Sequence, residues 1–126
     1  LEKGEMMLRF FLDGIKTTVL VTAVDRLADR IKDEYGLAGT AHMNPGEIDD
    51  WPLAEQQPLF ALFRGAEKDI GVELKPSGIM KPVKSRSGVI FENDCAFAAC
   101  WLCTQHGCAG RRYKYTPEKV EEYLGD

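Results

Sequence analysis

The sequence predicts a single α+β domain, and three observations carry that prediction. Two β-rich runs, "MLRFFLDG" and "IKTTVLVTA", meet at Asp13-Gly14, a dipeptide that favours tight hairpin turns. The next segment, "VDRLADRIKDEYGL", repeats apolar residues at helical spacing. A third segment, "NDCAFAACWLCTQHGC", is apolar nearly all round and holds all four cysteines.

In the first run Leu8, Phe10 and Leu12 share one strand face, and in the second Val19 and Val21 do. In the helix that follows, Val24, Leu27, Ala28, Ile31 and Tyr35 form the apolar stripe, and Gly36 is a natural left-handed stop. Residues 38–58 are rich in turn formers, with a short helix expected at Asp50-Trp51-Pro52 and limited by Pro58. "LFALFRGAEKDIGVELKP" reads as a second hairpin, and "GIMKPVKSRSGVIFEN" as a third strand pair around Ser85–Gly88, with Pro82 favouring an edge. The cysteine segment is expected as a buried helix capped by Asn93 or Asp94 and ended by Gly107. A short C-terminal helix should start with Thr116 at the N-cap and Pro117 in the first turn. Residues 1–5 read as a leftover of expression, and residues 6–126 as one domain.

Residues 6–37, as hairpin followed by amphipathic helix, resemble the opening of ubiquitin-like β-grasp proteins. That resemblance implies a helix laid across an N-terminal hairpin. Residues 92–107, "ENDCAFAACWLCTQHG", resemble the nucleophile helix of papain-like cysteine peptidases, in which a cysteine sits at a helix N-terminus. This second resemblance implies Cys95 as nucleophile. The usual later histidine has only His106 to offer, too far along the same helix, so the partner would be His42, ahead of the cysteine as in circularly permuted members.

Composition narrows the function. The chain has 126 residues, 16 basic and 20 acidic, for a formal charge of −4, which does not suggest a nucleic-acid binder. The longest apolar run, "CAFAACWLC", is far short of the ~20 residues that span a bilayer, so the expected setting is cytoplasmic, with no membrane partner. Thiols stay reduced there, and the cysteines read first as small apolar core residues. No cofactor is favoured. If zinc were bound, Cys100, Cys103 and Cys108 would be its ligands, because an intact helix holds Cys95 and Cys103 about 12 Å apart. The expected role is protein binding or regulation without catalysis, and the candidate surfaces are Trp51 and the basic residues Lys75, Lys81, Lys84 and Arg86, which would suit an anionic partner. The alternatives are a cysteine hydrolase built on Cys95 and His42, and a small zinc protein.

Overall fold

The computed structural model describes residues 3–94 and 97–125. Its elements, in order, are α1 (Lys3–Tyr35), β1 (Thr40–Met43), α2 (Gln56–Phe63), β2 (Glu73–Leu74), β3 (Met80–Lys81), β4 (Val89–Glu92) and α3 (Pro117–Leu124). Short 3₁₀ turns lie at Leu53–Glu55, Ala66–Lys68 and Ala99–Trp101. Helices and small antiparallel sheets together make the chain an α+β protein, as expected.

The expected N-terminal hairpin is replaced by one helix of 33 residues. The apolar residues fit both periods, because Leu8, Leu12, Ile15 and Val19 are spaced 4, 3 and 4 as a helix face requires. The β-branched threonines that suggested a strand are accommodated within the helix. The hydroxyls of Thr17, Thr18 and Thr22 donate to the carbonyls four residues back, Asp13, Gly14 and Thr18, at 2.9, 3.0 and 2.9 Å. Gly14 costs about 1 kcal/mol relative to alanine here, too little to break so long a helix. The end of α1 is where the sequence put it. Gly36 takes φ 64°, and the Leu37 amide donates to the Lys32 carbonyl at 2.9 Å, closing a Schellman motif.

β1 and β4 pair antiparallel, with Thr40 opposite Glu92, Ala41 opposite Phe91, His42 opposite Ile90 and Met43 opposite Val89. Glycines close both ends of this ladder. A side chain on Gly39 would collide with the Asn93 carbonyl oxygen, and one on Gly88 would collide with the Met43 carbonyl and come within 2.5 Å of Asn44 Oδ1. β2 and β3 form a separate hairpin with Glu73 opposite Lys81 and Leu74 opposite Met80. Both expected strand pairings are therefore corrected. Residues 59–63 belong to α2, where Pro58 is tolerated because its missing N–H falls in the unpaired first turn. The strand at 89–92 finds its partner in β1, far back in sequence, instead of across Ser85–Gly88. The expected helix at 50–52 begins slightly later, as the 3₁₀ turn that leads into α2.

The cysteine segment is not a helix where it is described: Cys95 and Ala96 lie outside the described residues, and from Phe97 onward only one 3₁₀ turn forms. Two long-range devices replace helical bonding. The Arg111 guanidinium donates to the carbonyls of Cys100 (3.2 Å), Cys103 (3.1 Å), Tyr113 (3.3 Å) and Gln105. The Thr116 amide donates to the Trp101 carbonyl at 2.9 Å. Aromatic packing fixes the path: Phe97 lies 5.9 Å from Phe91 and 5.2 Å from Tyr123, and Trp101 lies 5.6 Å from Tyr113, ring centre to ring centre. Burial is correspondingly uneven. Ala99 and Leu102 join Ala41, Ile48 and Leu59 in the core, whereas Cys100 and Cys103 are half-buried and Cys108 is exposed. α3 starts at Pro117 as expected, but the Thr116 hydroxyl turns back to the Lys114 carbonyl, at 3.1 Å, and caps nothing.

Candidate interaction surface

The apolar side chains of α1 are half-buried in one sector of its second half and exposed over a wide arc in its first half, where Met6 and Phe10 are 60% and 73% exposed at the angles of the seated sector. At about 100° per residue, with Arg9 set to zero, Leu20, Val24, Ala28 and Ile31 fall between about 20° and 100°. These four are half-buried, and this half of α1 packs on β1. Ahead of them, Leu8, Leu12, Ile15 and Val19 fall between about 240° and 300°, with Met7 and Phe11 at about 160° and 200°. These six point away from the folded body and are between 43% and 62% exposed. Glu5, Arg9, Asp13 and Lys16 form a charged stripe within about 40° of zero, on the body side. One of them holds the helix: Asp13 accepts from Lys84 Nζ at 3.0 Å. The seated half has its own tie, from Arg112 to Asp25 at 3.3 Å.

Six large apolar side chains in one band are a sizeable exposed patch, of the kind that often marks a contact surface. The sequence reading missed it. The signal was present in the 4-3-4 spacing from Leu8 to Val19, and was hidden by the turn preference of Asp13-Gly14.

The residues singled out from sequence lie elsewhere and are dispersed. His42 is half-buried on β1, where Arg86, Glu47, Asp25 and Arg112 surround it electrostatically. Burial, then the Arg86 charge, pushes its pKa below the ordinary 6.5 against the opposing pull of Glu47 and Asp25. Its proposed partner Cys95 lies outside the described residues. The four basic candidates each stand beside an acid. Lys75 bonds Glu73 at 2.7 Å, Lys81 faces Glu73 across the β2–β3 ladder, Lys84 bonds Asp13, and Arg86 lies 3.6 Å from Glu47. Trp51 is half-buried and bridged to Ile48. Among the described residues no three His, Cys, Asp or Glu side chains gather as a metal-binding set, and Cys100, Cys103 and Cys108 are free thiols. Also among the described residues, no helix is long and apolar enough to cross a membrane.

No protein-family model, characterised protein or solved structure matches the chain.

Proposed function

We propose that the chain is an intracellular protein-binding module, without catalysis of its own, whose working surface is the outward face of α1 from Met7 to Val19. The observation that carries this reading is the exposure of large apolar side chains along the first half of α1, on a helix whose second half is anchored against β1. Burying each of these side chains would contribute roughly 1–2 kcal/mol, so together they can support a specific complex. The free thiols suit a reducing compartment.

A photo-cross-linking amino acid at position 11, introduced in living cells, should yield a discrete adduct with a polypeptide. The adduct should disappear when Leu8 and Ile15 are changed to Asp. The same probe at position 26, on the charged part of the outward face, should give none. Absence of any polypeptide adduct at position 11 would overturn the reading.

A further inference from the structure

We infer that the cleft between the end of β4 and α3 binds a small quaternary ammonium compound. The cleft holds about 390 Å³, toward the lower end of the range for small-ligand pockets. None of its lining residues belongs to α1, so it is separate from the α1 surface and rests on different observations.

The first observation is the wall. Phe91, Phe97 and Tyr123 are half-buried, and all three line the cleft. The Phe97 ring is inclined by 51° to Phe91 and by 81° to Tyr123, so the three bound a hollow in place of a flat stack. Buried Leu102 adds further apolar surface. Aromatic faces carry partial negative charge and attract organic cations. The same ring cluster already receives one cation of the chain's own. Lys119 Nζ lies 5.4 Å from the Tyr123 ring centre and 5.5 Å from that of Trp101. Lys119 does not line the cleft, and it is tied to Glu122 at 2.6 Å.

The second observation is charge. Glu92 and Asp94 line the cleft, and among the described residues no basic side chain does. Neither carboxylate takes part in an ion pair among the described residues, unlike Asp13, Asp25, Glu47 and Glu73. Two unbalanced carboxylates beside aromatic walls draw cations in and keep anions out.

Together these choose the kind of cation. Both carboxylates are exposed, so they act from the mouth of the cleft, and the wall is mostly carbon. A primary ammonium would give up its N–H bonds to water and find few acceptors there. A quaternary ammonium has no N–H to lose, and its methyl groups pack on ring faces. Backbone bonds fix the frame. The Asn93 amide donates to the Gly39 carbonyl at 3.0 Å, extending the β1–β4 pairing, and the Ala38 amide donates to Glu92 Oε1 at 3.4 Å.

Nuclear magnetic resonance titration of the purified chain with choline, ethanolamine and dimethylbutanol tests this. The three share a hydroxyl-bearing arm and differ in the head, which is trimethylammonium, primary ammonium and neutral tert-butyl in turn. Choline should saturate one site with a dissociation constant of roughly 1 mM or below, shifting the ring signals of Phe91, Phe97 and Tyr123. Ethanolamine and dimethylbutanol should each bind at least about tenfold more weakly. Phe97→Leu keeps the cleft apolar, removes a ring face and should weaken choline binding about tenfold. Asp94→Lys changes an exposed residue, so it tests the site without disturbing packing, and should weaken choline binding by about tenfold as well. Absence of saturation by about 20 mM choline would overturn the site. So would shifts confined to residues outside the cleft, or an unchanged affinity in Asp94→Lys. Dimethylbutanol binding as tightly as choline would overturn the cation assignment, and ethanolamine doing so would overturn the quaternary one.

Discussion

The two halves of α1 are built from similar residues and end in different environments. Residues 20–35 lay Leu20, Val24, Ala28 and Ile31 on β1, and residues 3–19 leave Leu8, Phe11, Ile15 and Val19 in solvent. Composition does not separate them. What differs is cover: β1 packs on the second half, and the apolar side chains of the first half stay exposed. A continuous hydrogen-bonded backbone can therefore serve the fold with one end and present an open surface with the other. Contact with β1, more than hydrophobicity, decides which side chains of α1 are covered.

Val19 and Val24 offer the strongest way to break the comparison, because residue type is held constant. Val24→Lys should lower unfolding free energy by about 2 kcal/mol, since it sets a charge against β1. Val19→Lys should change it by less than about 0.5 kcal/mol. Urea denaturation reads both, and equal costs would erase the distinction between the halves.

Gly14→Ala sharpens it further. The chain should gain up to about 1 kcal/mol of helix stability, because Ala replaces Gly in an exposed helix interior with open space around it. Thermal melts read the gain, and a loss of stability would mean that this face of α1 is covered.

The pH response should fall on the seated half alone, since His42 lies in the field of Asp25 there. With its folded pKa held below 6.5, the unfolded chain takes up the proton first as the pH falls. The His42 contribution to stability is therefore complete above about pH 6.5, declines below it, and levels off once folded His42 also protonates. His42→Gln should flatten the stability profile between about pH 6.5 and 5.5. An unchanged slope would mean that other groups carry it. The smallest effect is expected at the exposed Asp13–Lys84 pair, where Asp13→Asn should cost no more than about 0.5 kcal/mol.

How much of this was legible in the sequence follows from how local each signal is. Gly36 ended α1 and Pro117 opened α3 as read, because caps and stops are written within a few residues of where they act. The β4 strand was visible at Val89–Glu92, but its partner was not, because nothing near residue 90 names residues 40–43. The N-terminal hairpin failed on a local conflict: Asp13-Gly14 signals a turn, the 4-3-4 spacing signals a helix, and the threonines that suggest a strand are accommodated in the helix by hydroxyls that donate to the carbonyls four residues back. The cysteine segment failed for the opposite reason. Its carbonyls are satisfied by Arg111, up to eleven residues away, and its rings pack on Phe91, Tyr113 and Tyr123, none of which a helical pattern over residues 95–106 can reveal. The exposed apolar residues of α1 carry a helical spacing that a strand reading of residues 7–23 hides.

Residue-resolved amide hydrogen exchange along α1 tests the central claim most directly. The account predicts that residues 20–35 are protected, because β1 holds one face of them, and that residues 6–19 exchange faster, because their apolar side chains are exposed. Uniform protection from residue 6 to residue 35 would contradict it.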